Sequence, residues 1–129
     1  MTEQSPKKIL VVDDEIIVRK SIRQALMCAA YEIDLATGGE EALKKEAEKR
    51  YDVILVDLMM PGMSGIDLLR SLKGQRSRAQ IIIMTGYPST KTSLQSMQLG
   101  AFDYLPKPFI PSEIRNLVVR ALAAGCAEE

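Results

Sequence analysis

A chain of 129 residues is long enough for one compact domain that buries about two-thirds of its unfolded surface, and too short for two ordinary domains. With 47% hydrophobic and 26% charged residues it has the composition of a soluble globular protein, which excludes disordered and membrane-spanning classes. Lys plus Arg and Asp plus Glu both number 17, and there are no Trp and two Phe, so neither surplus positive charge nor stacking platforms favour direct nucleic-acid binding.

The opening "MTEQSPKK" lacks the apolar core of a secretory signal, and no apolar segment approaches spanning length. The expected location is the cytoplasm, with no membrane partner. Cys28 and Cys126 have no metal-site spacing and no oxidising context, so both are expected as free thiols, Cys28 packed in a helix and Cys126 on the tail. A single domain over 1–129 is expected, with its core from about 7 to 124 and short flexible ends.

Strands are expected near 8–13, 31–36, 52–57, 80–85 and 102–106, each followed by a helix. The runs "ILVV", "VILV" and "IIIM" are continuously apolar and β-branched, as in strands covered on both faces of a parallel sheet. "YEIDLAT" alternates, and "FDYLP" is stopped by Pro106, so these two suit the edges. Helical stripes run through Val18, Ile22, Ala25, Leu26 and Ala29, and through Ile114, Leu117, Val118, Ala121 and Leu122. The helix at 38–50 carries Glu40–Lys44, Glu41–Lys45 and Glu46–Arg50 at i,i+4 spacing, read as a solvated face, and Thr37 with Glu40 reads as its capping box. Pro61 and Gly62 turn the chain so that a helix starts after Ser64. Five βα units with short loops make an α/β, doubly wound parallel sheet, whose ligands gather beyond the strands' carboxyl ends where the winding reverses.

At those ends stand Asp13 and Asp14, Asp57, Thr85 and Lys107. Clustered carboxylates repel, by about 4 kcal/mol for a pair about 4 Å apart at an effective dielectric near 20, so either one is protonated or a cation sits among them. With no His and no paired Cys, the oxygen-only set suits a hard ion, Mg2+ before Ca2+ and hardly Zn2+. Adding a lysine and a hydroxyl gives the parts of phosphoryl transfer, with Asp57 as nucleophile. Singly, an Asp-Asp pair is more often a helix cap, Thr85 a turn residue, Lys107 a surface amine and Tyr104 a half-buried edge ring. Their placement at successive strand ends makes the set specific.

From "KILVVDDE" through "YDVILVDLMMPGMSG" and "IIIMTGY" to "LGAFDYLPKPF", the chain resembles the receiver domain of bacterial two-component response regulators. The resemblance implies a flavodoxin-like sheet of order 2-1-3-4-5, with helices 1 and 5 on one face and 2 to 4 on the other. It implies that Asp57 accepts a phosphoryl group from a histidine kinase, a phosphotransfer protein or acetyl phosphate. Mg2+ would be held by Asp13, Asp14, Asp57 and the Met59 backbone carbonyl. Thr85 and Lys107 would contact the phosphoryl oxygens, Tyr104 would be the switch aromatic, and Lys107-Pro108 would be cis. Such a domain is no enzyme beyond its own phosphorylation and dephosphorylation. Its output surface would be the face of helix 4, strand 5 and helix 5, used for a partner or a homodimer, with Met97 expected in the core.

Three other readings compete. A haloacid-dehalogenase-like phosphatase needs a second Asp where Met59 stands, and a flavodoxin-like flavin binder needs a Ser/Thr/Gly-rich loop where "DDE" stands. A phosphate-independent interaction module would keep the fold and leave the acids incidental.

Overall fold

The three continuous apolar runs form the middle of the sheet. In a computed structural model describing residues 5–127, and side chains to residue 125, the elements are β1 (Lys7–Val12), α1 (Ile16–Leu26), β2 (Tyr31–Ala36), α2 (Gly39–Lys49), β3 (Val53–Asp57), α3 (Gly65–Gly74), β4 (Gln80–Thr85), α4 (Thr90–Gln98), β5 (Asp103–Pro106) and α5 (Pro111–Ala127). All strands are parallel, in the order β2-β1-β3-β4-β5. The alternating strand and the proline-ended strand lie at the two edges, as their patterns predict. Among the described residues no helix is long and apolar enough to cross a membrane.

Because side chains alternate along a strand, each central strand feeds two layers. Leu10, Val12, Ile54, Val56, Ile81 and Ile83 face α2 and α3, packing on Ala42, Ile66, Leu68, Leu69 and Leu72. Ile9, Val11, Val53, Leu55, Ile82 and Met84 face α1 and α5, against Ile22, Leu26, Ile114, Leu117, Val118 and Ala121. All twelve of these strand residues are fully buried. Burying both faces of one strand explains why the runs carry no polar interruption.

The N-terminal ends of the central strands are tied together. Asp52 donates its N–H to the Lys8 carbonyl at 2.8 Å and accepts the Lys8 N–H on its carboxylate at 2.8 Å, while its own carbonyl accepts from Gln80 N–H at 2.9 Å. Glu46 adds a second tie. Its Oε1 accepts from Tyr51 N–H at 2.8 Å and its Oε2 from the Ser77 hydroxyl at 2.6 Å, linking α2 to the turn before β4.

That arrangement takes Glu46 out of the solvated face expected for α2, while Glu40, Lys44 and Arg50 stay exposed. Glu46 is only 2% exposed and does not pair with Arg50, and of the three expected pairs only Glu41–Lys45 forms among the described residues, at 3.5 Å. Nor does Thr37 make a capping box with Glu40. Gly38 is the cap residue, and the Thr37 N–H and hydroxyl donate to Glu41 at 2.8 and 2.9 Å. The first helix ends at Leu26, leaving Cys28 and Ala29 exposed outside it rather than packed. Met97 is 46% exposed, and Ser96 takes the buried position instead. The backbone of Cys126 lies within α5, not on a tail; its side chain, like the termini at 1–4 and 128–129, falls outside the described residues.

Removing the Glu46 carboxylate strands one buried donor, the Tyr51 N–H, and one half-buried donor, the Ser77 hydroxyl. Glu46→Ala is expected to lower unfolding free energy by about 2–4 kcal/mol in urea denaturation. The exposed neighbour Glu48→Ala should stay within about 0.5 kcal/mol of the parent.

Candidate functional site

Register places the acids side by side. Val12 of β1 pairs with Val56 of β3, so the next residues, Asp13 just past β1 and Asp57 at the last position of β3, stand side by side at the point where the strand order reverses. Carboxylate oxygens of Asp13, Asp14 and Asp57 lie within 4.8 Å of one another. Asp13 is fully buried, Asp57 is 5% exposed and Asp14 is open to solvent, so the cluster has a closed floor and one open side. The Asp-Asp pair is not the helix cap; Asp13 Oδ1 instead accepts the N–H of Glu15, the residue that caps α1, at 2.9 Å. The Asp13 carbonyl accepts from Arg19 Nη1 at 2.8 Å.

Lys107 closes the cluster from β5. Its Nζ donates to Asp13 Oδ2 at 2.9 Å and to Asp57 Oδ1 at 3.2 Å, and its backbone N–H donates to the Thr85 carbonyl at 2.7 Å. The Lys107-Pro108 peptide is cis, as the resemblance implies. Burial pushes the Asp57 carboxyl up to about 6, helped by the charge of Asp13, with Lys107 pulling the other way. For Lys107, burial disfavours the charge, but the hydrogen bond and charge of Asp13, with those of Asp57, outweigh it and raise its pKa.

Three ionised carboxylates and one ammonium leave a net charge of −2 in the pocket. An oxygen-only donor set with that deficit and one open side fits a hard divalent cation.

Thr85, at the end of β4, is fully buried, and its Oγ1 accepts from Tyr87 N–H at 2.9 Å. Tyr104 sits on β5, half-buried, away from the acids. Its hydroxyl shares a 2.7 Å hydrogen bond with Thr92 Oγ1 and accepts from Ser89 N–H at 3.1 Å, so it fastens β5 to the start of α4. Met59 is 59% exposed in the loop after β3. The acids and Lys107 thus converge, while the Tyr104 hydroxyl is engaged by Ser89 and Thr92 at the start of α4.

Two residues that the sequence reading passed over support the cluster. Gly65 opens α3 against the back of the Asp57 strand end, where a Cβ would lie 2.6 Å from the Asp57 carbonyl oxygen and 2.7 Å from Leu58 Cα. Ser64 caps the helix by accepting from Asp67 N–H at 3.1 Å. A glycine in the first helical turn, where propensity disfavours it, was the available signal. Arg19 is the other, a cation directly beside the Val18–Ile22 stripe.

A model of the response regulator receiver domain matches residues 9–119. The chain belongs to this family. It is 41% identical over 122 residues to the transcriptional regulatory protein ResD of Bacillus subtilis, covering 95% of this chain and 50% of that protein. It is 38% identical over 115 residues to the regulatory protein AtoC of Escherichia coli, covering 89% of this chain and 25% of that one. The chain therefore spans between a quarter and half of these curated relatives. Among solved structures, a CheY-like response regulator receiver domain protein from Methanospirillum hungatei superposes with a TM-score of 0.92 at 31% identity, covering 97% of this chain and 100% of that one.

The raised Asp57 carboxyl gives this receiver a pH signature. Between about pH 4 and about pH 6 the folded chain holds a proton on Asp57 that the unfolded chain has released, so raising the pH through that window favours unfolding. With chelator present, Asp57→Asn should match the parent near pH 4 and exceed it by about 2–3 kcal/mol at pH 7 in urea denaturation. A difference that does not grow across the window would contradict the electrostatic picture.

Proposed function

We propose that this receiver is a phosphorylation-dependent switch of a two-component system, with Asp57 as phosphoacceptor. The observation that carries the reading is the convergence of Asp13, Asp14 and Asp57 on Lys107, with Thr85 at the neighbouring strand end. Mg2+, held by Asp13, Asp14, Asp57 and the Met59 carbonyl, would neutralise the acids and the phosphoryl oxygens.

An Asp57 carboxylate oxygen attacks phosphorus in the donor, the phosphohistidine of a sensor kinase or phosphotransfer protein, or acetyl phosphate. The new O–P bond forms as the donor's P–N or P–O bond breaks, and imidazole or acetate leaves. Asp57 is shielded from bulk water, and above about pH 6 it is ionised and ready to attack. Lys107 already donates to Asp57 Oδ1, so its ammonium is within reach of charge that develops there. In this reading the chain catalyses only its own phosphorylation and dephosphorylation.

Thr85 accepts from Tyr87 N–H and keeps its hydroxyl proton to donate to a phosphoryl oxygen. Moving Thr85 toward that oxygen pulls the β4–α4 loop that carries Ser89, whose N–H donates to Tyr104. The added charge biases a two-state element consisting of α4, β5 and α5. Leu94, Met97 and Val119 are exposed on α4 and α5, and supply apolar surface for an output partner or a second copy. The setting is the cytoplasm, without a membrane or nucleic acid as direct partner.

Intact mass after incubation with Mg2+ and acetyl phosphate tests the reading. One phosphoryl adduct is expected, absent with chelator and absent in Asp57→Asn; an adduct that survives the substitution would overturn the assignment. Met59 offers no hydrogen bond to a hydrolytic water, so Met59→Asn is expected to shorten the adduct's lifetime by about tenfold, the effect of one added hydrogen bond of about 1.4 kcal/mol in the transition state. Equal decay of the two proteins would remove Met59 from the account.

A further inference from the structure

Asp13 stands one residue beyond the end of β1, where the sheet ladder no longer serves its carbonyl. The residue is fully buried, so that oxygen has no route to bulk water. Arg19, one turn into α1, supplies the missing donor through Nη1 at 2.8 Å. Arg19 is half-buried and makes no ion pair among the described residues, so the fixed partner of its guanidinium is a backbone oxygen and not an acid.

The remaining polar groups of Asp13 are also held. Its N–H donates to the Ala36 carbonyl at 3.2 Å, Oδ1 accepts from Glu15 N–H at 2.9 Å and Oδ2 accepts from Lys107 at 2.9 Å. Three of these four bonds reach Asp13 from β2, the α1 cap and the residue after β5; the Arg19 bond alone comes from the body of a helix. It anchors the acidic loop to a rigid element that packs on the sheet through Ile22 and Leu26.

We propose that Arg19 is a positioning residue for the cation site, fixing through the Asp13 backbone the direction in which Asp13 and Asp14 present their carboxylates to Mg2+. The proposal rests on the Mg2+ reading above. A charge-assisted bond from a planar guanidinium resists rotation of the peptide it holds, which a lone ammonium on a flexible stem does less well. Without it, a buried carbonyl is left unpaired and the loop must move to reach water. The carboxylates of that loop move with it.

Titration of the full chain with Mg2+, followed by amide chemical shifts, reads the effect. Groups that orient metal ligands typically contribute about 10- to 100-fold to affinity, and Arg19→Met and Arg19→Gln are each expected to weaken Mg2+ binding within that range. Arg19→Lys should recover part of it, and Lys20→Met, exposed on the same helix, none of the loss. In chelator, the Glu15 amide should exchange faster in Arg19→Met, a readout that needs no metal. At saturating Mg2+ the labelling rate with acetyl phosphate should return to within about twofold of the parent, as for lost cation affinity with the chemistry intact. Should Arg19→Met fail to fold, Arg19→Gln carries the same expectation. A parent that binds no Mg2+ sinks the reading of the site and this proposal with it. A parent that binds, with folded variants binding equally well, sinks this proposal alone.

Discussion

Everything at the carboxyl pole of this sheet answers to the repulsion among three carboxylates held within 4.8 Å. Such a cluster is unfavourable wherever solvent is excluded, and two of its members, Asp13 and Asp57, are buried. It persists because the backbone allows no retreat. Continuous ladders on both sides fix β1 and β3 up to Val12 and Val56, Gly65 lets α3 press against the back of β3, and Lys107 arrives from the far edge to bridge two of the acids. The apolar runs beneath supply the rigidity that makes the arrangement tolerable.

That division of labour decides what a reader of the sequence can recover. The central strands were legible because burial on both faces admits only apolar residues, so "ILVV", "VILV" and "IIIM" announce themselves without any neighbour in view. The acids, Thr85 and Lys107 were legible for the opposite reason: polar groups at successive strand ends have no packing role to hide behind. Tyr104 was placed correctly on an edge strand, yet its hydrogen bonds to Thr92 and Ser89 depend on where α4 begins, which no local pattern encodes.

The misreadings share a cause. Glu46 looks like one more surface charge at i,i+4 spacing, and only the turn before β4, 31 residues away along the chain, brings Ser77 to it. Arg19 resembles any cation beside an apolar stripe until the buried carbonyl of Asp13 is seen above it. Met97, expected in the core, is exposed because helix phase, not hydrophobicity, turns the adjacent Ser96 inward. In each case what decides is the folded geometry, a side-chain partner for Glu46, a backbone carbonyl for Arg19 and helix phase for Ser96, and side-chain identity alone carries no trace of it.

The ties at the opposite pole give the sheet a fixed end. Lys8, Asp52 and Gln80 lock the starts of three strands to one another, and Glu46 fastens α2 to the turn that leads into β4. A beam clamped at one end deflects only at the other. Under the switch proposed above, a displacement driven by charge beside Asp57 would be taken up in the β4–α4 loop and the segment around Lys107. Under that proposal the movement would reach the surface that bears Leu94 and Val119 before it reached the core.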